Sequence, residues 1–120
     1  MNEYSELLKD PRWQKKRLEI LSRDNFKCVS CGDAKETLHV HHKFYNKYKK
    51  PWAHKSPVLV TLCDSCHSLE HKIKSSAESS FVYLILSKGF LATDLIKMSQ
   101  AIEEMSNEEI YSRMFGENGR

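Results

Sequence analysis

The chain has 120 residues, 40% of them hydrophobic and 29% charged, with four Cys, six His and a net charge of +3. That length suits a small fold whose thin core gains from a staple such as a metal. No apolar run reaches membrane-spanning length, which excludes a transmembrane helix.

The N-terminal stretch MNEYSELLKDPRW is polar and mixed in charge. It therefore predicts no signal peptide and a reducing, cytoplasmic setting, where four Cys serve as metal ligands or thiols rather than disulfides. The charge is unevenly spread: residues 1–75 hold fifteen Lys/Arg against nine Asp/Glu, a net of +6, and residues 76–120 hold four against seven, a net of −3. Every Cys and every His falls in the basic part. Basic charge beside a metal site favours a polyanionic partner, although a solvated mixed-charge surface would give the same count.

Asp10 followed by Pro11 predicts an N-cap and a first helical position, with a helix from Pro11 to about Arg23. Trp13, Ile20 and Leu21 mark its apolar side; Arg12, Lys15, Lys16 and Arg23 mark a basic one. Asp24-Asn25 ends it, and residues 26–32 form a tight turn in which Gly32 is free to take positive φ. Thr37 to about His41 alternates as a strand does. The next loop, bounded by Lys43 and Pro57, is long for a hairpin connection, and loops of that length are usually functional or disordered. Val58–Leu62 is the second strand. Asp64 is placed to cap a helix from Ser65 to about Ser75.

The Ser-rich stretch 75–80 is expected to be a hinge, dividing a domain over residues 1–76 from a helical extension over 77–120, with packing on the same domain as the default. Phe81–Leu86 fits helix or strand. Leu95, Met98, Ile102 and Met105 keep helical spacing over about Ala92–Met105, and Ser106 with Glu109 makes a capping box for a last helix through about Phe115.

Cys28-x-x-Cys31 and Cys63-x-x-Cys66 are two pairs, each at the spacing that lets one tight turn offer two thiolates to one ion. Together they complete a tetrahedron, so structural Zn²⁺ is the expected occupant. A redox dithiol would need only one pair, normally at a helix start. A closed set of four thiolates has no open position, and such a metal holds the fold without doing chemistry. The 31 residues between Cys31 and Cys63 must then fold as an insertion whose ends meet at the metal.

His39, His41, His42, His67 and His71 lie inside or just after that insertion. His67 and His71, at i and i+4, share one helix face and suit chelation of one ion. At this point Leu38-His39-Val40-His41-His42-Lys43, with Leu59-Val60-Thr61-Leu62-Cys63-Asp64-Ser65-Cys66-His67 and His71, resembles the HNH endonuclease family over about Leu21 to His71. The resemblance implies an α+β fold: a small ββα-metal core on a four-cysteine zinc knuckle, flanked by the N-terminal helix and the C-terminal helices.

It further implies His42 as general base, and His41, His67 and His71 as ligands of one catalytic divalent metal (Mg²⁺, Mn²⁺, Ni²⁺ or Zn²⁺). DNA is the implied substrate, with RNA left open, and the products would carry 5′-phosphate and 3′-hydroxyl ends. Neutral imidazole can take a proton from water near pH 7. Adjacent strand residues point to opposite faces, so His41 and His42 are expected where the strand breaks into the loop. His39 reads as a structural neighbour rather than a spare ligand. The family's middle Asn falls at Val58 here; His54 or the Trp52 region is available to brace the loop instead.

The loop from Lys43 to Lys55 interleaves lysines with aromatics, and Lys43, Lys47, Lys49 and Lys50 are the expected phosphate contacts. Trp52 reads as structural. The acidic C-terminal helices could pack on the core, pair with a second copy, or dock a protein partner. Two functional classes follow: a metal-dependent DNA endonuclease, or a non-catalytic zinc module that binds nucleic acid or protein.

Overall fold

The computed structural model describes residues 3–116. Its elements run in chain order as α1 (Glu3–Leu7), α2 (Pro11–Arg23), β1 (Leu38–His42), β2 (Leu59–Cys63), α3 (Asp64–Ser87), α4 (Ala92–Glu103) and α5 (Asn107–Phe115). Single 3-10 turns at Pro51–Ala53 and Ser56–Val58 punctuate the loop between the strands. The architecture is small α+β: one two-stranded sheet and several helices. The chain divides into two compact units, Met1–Lys74 and Ser75–Arg120. Among the described residues, no single helix is long and apolar enough to cross a membrane.

In the first unit, α2 starts as its sequence dictates. The Asp10 carboxylate accepts from the Arg12 backbone N–H at 2.8 Å, and Pro11, which has no N–H to orphan, occupies the first turn. Trp13, Ile20 and Leu21 are its three buried residues. They meet Val40 and Leu59 from the sheet to form the core, with Leu8, Leu38 and Trp52 packed around it. The basic face of α2 is largely spent on structure. Arg12 lies over the Trp52 ring at 4.3 Å, and Lys16 Nζ donates to Ser56 Oγ at 3.0 Å. Arg23 donates to the carbonyls of Ser56 and Leu59 at 2.8 and 2.7 Å while pairing with Asp24. Asp24 in turn accepts the Thr61 N–H at 3.0 Å. These bonds fasten the end of α2 to β2 and to the turn before it.

The strands pair antiparallel in the register Leu38↔Cys63, Val40↔Thr61, His42↔Leu59. β1 therefore sends Leu38, Val40 and His42 towards α2, and His39 and His41 to the opposite face. Both strands sit one residue later than the alternation predicts.

Two expectations about α3 are corrected. Residues 75–80 are helical, not a hinge: serine disfavours helix only mildly, and no Gly or Pro interrupts the run. Asp64 is the first helical residue rather than a cap. Its carboxylate pairs with His39, and the Ser65 N–H is taken instead by Glu36 at 3.2 Å. A carboxylate at a helix start is favourable from either position.

In the second unit, the Ser106–Glu109 capping box forms with both reciprocal bonds. Leu95, Met98 and Met105 are half-buried, while Ile102 is exposed. No residue of α3, α4 or α5 is fully buried.

Candidate metal centres

The first centre is the four-cysteine cluster. Cys28 and Cys31 lie on a tight turn held by Gly32 N–H to Cys28 O and by Cys28 N–H to Asp33 O, both 2.8 Å. Gly32 takes φ +81° there, a conformation that strains any residue bearing a Cβ. Cys63 is the last residue of β2, and Cys66 sits in the first turn of α3. The two halves match: Cys31 N–H points at Cys28 Sγ and Cys66 N–H at Cys63 Sγ, each at 3.5 Å. The turn is tied to β2 by Val29 N–H to Thr61 O at 3.0 Å.

All four sulfurs lie within 4.8 Å of one another, and Cys31 Sγ and Cys63 Sγ are 3.7 Å apart. Sulfurs at about 2.3 Å from a tetrahedral zinc would be separated by about 3.8 Å. All four thiols are free of disulfides. For Cys28, burial raises the thiol pKa, but backbone N–H groups around Cys63, Cys31 and Ser30 outweigh it and bring it down to about 6. Sharing the site chiefly with Cys63 pushes Cys66 up to about 12. Four thiols crowded so that one ionises easily and another resists are short of positive charge, which a divalent ion supplies. The cluster can hold a structural metal such as zinc.

The second centre is built from three histidines. His41, from β1, is 4% exposed. Its ring stands edge-on to His67 and His71 of α3, with centroids 5.2 and 5.1 Å away. One ring nitrogen from each of the three lies within 4.8 Å of the others, and His67 Nε2 is 3.0 Å from His71 Nε2. Two imidazoles on one tetrahedral ion would place their nitrogens about 3.3 Å apart. Burial first, then repulsion from His67, His71, His42 and Lys74, holds His41 down at about 4. His67 is lowered by burial, then by His39 and His71, with Asp64 opposing. At neutral pH both rings are uncharged, so each has one nitrogen lone pair free to ligate.

His42 is the next residue on the strand, and its ring leaves from the other face. The expected strand break is absent: β1 runs regularly through His42, which pairs with Leu59. The ring stacks on Trp13, with centroids 5.0 Å apart and planes at 21°. Because His42 ends the strand, it still borders the depression lined by Tyr4, Val40, His41, Tyr45, His67 and His71.

His42 Nε2 lies 3.1 Å from the Pro51 carbonyl. A carbonyl only accepts, so Nε2 carries the proton and the lone pair of the neutral ring resides on Nδ1. Burial lowers the pKa of His42; the Pro51 carbonyl opposes the shift and His54 adds to it.

Lys47, Lys49 and Lys50 line a neighbouring depression with Glu3, Tyr4, Leu7, Tyr45 and Tyr48. Lys43 lines neither; its backbone N–H is bound to Val58 O at 2.7 Å. Tyr4 and Tyr45 border both depressions. Tyr4 had no sequence signal, because α1 is one short turn without apolar periodicity. His39 pairs with Asp64 at 2.8 Å and stacks on His67, which places it beside the histidine cluster and outside the converging set. Comparison of the chain with family models, with curated proteins and with solved structures finds no match in any of the three, so the functional reading rests on the residues themselves.

Proposed function

We propose that the protein is a metal-dependent endonuclease of the HNH kind, hydrolysing phosphodiester bonds in DNA. The observation that carries the reading is the convergence of His41, His67 and His71 beside a fourth histidine, His42, whose ring is fixed with Nδ1 as its basic atom. A divalent metal on the three histidines would supply Lewis-acid stabilisation of charge on the phosphate and the leaving oxygen. His42 Nδ1 takes the proton from the attacking water. The Nε2–H stays on the Pro51 carbonyl, whose dipole stabilises the imidazolium that results. Trp13 beneath the ring limits its rotation. Lys47, Lys49 and Lys50 offer phosphate contacts on the adjoining depression.

The test is supercoiled plasmid incubated with Mg²⁺, Mn²⁺ or Ni²⁺, comparing the wild type with His42→Ala. Metal-dependent nicking that the variant lacks is the expected result. Equal activity in the two would remove the reading.

Val58 favours a second reading, a non-catalytic zinc module binding nucleic acid or protein, because it brings no polar side chain to the position of the family's Asn. Metal counting separates the two. One tightly held zinc and no second-site affinity would favour the module, and a second, exchangeable ion would favour the enzyme.

A further inference from the structure

We infer that His54 is the positioning residue that fixes the general base, bridging Asn46 to Lys50 and Pro51 within the loop on which the His42 ring is anchored. The inference deepens the endonuclease reading and rests on it for the role of His42. His54 lies in the loop between the strands, yet it is only 4% exposed. Its Nε2 accepts the Asn46 backbone N–H at 3.0 Å. Its Nδ1 faces the carbonyls of Lys50 and Pro51 at 3.1 and 3.3 Å.

These partners fix the tautomer. A backbone N–H at Nε2 demands a lone pair there, so the single proton of the neutral ring sits on Nδ1 and is donated to the carbonyls. The Pro51 carbonyl is the same one that receives the His42 Nε2–H. One loop oxygen therefore joins the two rings, and His54 determines where that oxygen stands. The rings also touch, with centroids 4.8 Å apart and planes at 76°. Tyr45 stacks on the far side of His54 at 4.8 Å and 22°, and its edge meets His42 at 5.1 Å.

Without the bridge, residues 46–51 would have no side chain spanning them at this point, and the Asn46 N–H would need water or another acceptor. Val58, at the position where the resembling family carries Asn, cannot do this work with an apolar side chain. His54, four residues earlier in the chain, makes the bonds instead. The geometry assigns His54 no contact with the reacting atoms; it acts through Pro51 on His42.

The experiment compares the full chain with His54→Phe, which keeps a flat ring between Tyr45 and His42 but forms none of the three bonds, and with His54→Gln, which restores one acceptor. Ring nitrogen NMR at fixed pH is the first readout, with zinc retained. In the wild type His42 should show the Nε2–H tautomer with a protected ring proton, and in His54→Phe both the tautomer bias and the protection should fall. Plasmid nicking is the second: kcat should drop about 10-fold or more with KM and second-site Mn²⁺ affinity within about twofold, and His54→Gln should recover part of the loss. Should His54→Phe fail to fold, the same comparison is read from His54→Gln against the wild type. An unchanged His42 ring spectrum in a folded variant overturns the inference. Because that spectrum does not depend on turnover, a protein that never nicks DNA would remove the endonuclease reading and leave the positioning role to be decided by NMR.

Discussion

His39 and His67 lie face to face, with ring centroids 4.5 Å apart and planes at 14°. His39 is held from behind by Asp64, whose carboxylate is 2.8 Å from its Nε2. The stack gives His67, a half-buried residue at the start of α3, a flat surface to rest on beside His41 and His71. Truncation by His39→Ala should weaken divalent metal binding at the histidine centre about 10-fold, the usual scale for groups that orient ligands. His39→Phe keeps the flat face and should restore most of the affinity. Calorimetric titration with Ni²⁺ checks both, and equal affinity in all three proteins would show that the stack does not orient the ligand.

Removal of zinc from the cysteines should unfold the segment from Cys28 to Cys66. In small metal domains the binding free energy, about 10–16 kcal/mol for structural zinc, is largely folding free energy. Cys63→Ala tests this most directly, because Cys63 ends β2 and is itself buried in a small cluster with Cys28 and Leu62. The variant should hold no tightly bound zinc at the cysteines and lose its cooperative melt. A chelated protein, shown to be free of cysteine-bound zinc and yet melting as before, would contradict the assignment.

Acid should destabilise the form that carries zinc alone, in a window set by His41. Above pH 6.5 the ring is neutral in both folded and unfolded chains, and stability does not depend on it. Between 6.5 and about 4 the unfolded chain binds a proton that the folded one refuses, so stability falls as pH falls, and the loss levels off below about 4. His42 and His67 are lowered too and act in the same direction. Asp24 adds a second loss at lower pH, since its folded carboxyl is held below 3.8 by Arg23 and Thr61 against the opposing effect of burial. A ring NMR titration provides the check. The His41 ring should titrate at about 4; a midpoint at 6.5 would refute the buried geometry.

The parts of the fold that depend on neighbours in sequence were legible. Asp10-Pro11 placed the start of α2, and Ser106 with Glu109 placed the start of α5, because a cap is a bond across two or three residues. The Cys pairs and the His67/His71 spacing predicted clusters for the same reason. What depends on closure in space was not legible. Glu36 satisfies the start of α3 from 29 positions away, and no local pattern marks it. The sequence offers His54, or the Trp52 region, to brace the loop but cannot choose between them or supply the partners, since the burial of His54 exists only once the loop has folded over Pro51. Residues 75–80 illustrate the opposite failure. A cluster of serines resembles a linker, but the helix needs only the absence of a breaker to continue.

The pairing of Leu38 with Cys63 has a consequence for how this chain can change. Side chains alternate along a strand, so the pairing acts as a reading frame for the site. A slip of β1 by one residue would swap its two faces, turning His42 towards His67 and His71 and His41 towards α2. A slip of two would restore the faces but carry the three β1 imidazoles about 7 Å along the sheet, out of reach of His67 and His71. A change in the spacing from Cys31 to Leu38, anchored at the knuckle, would therefore shift which histidine faces α3, whereas a change in the exposed turn around Lys47 to Lys49 would leave the strand register intact and act only on the segment that His54 spans.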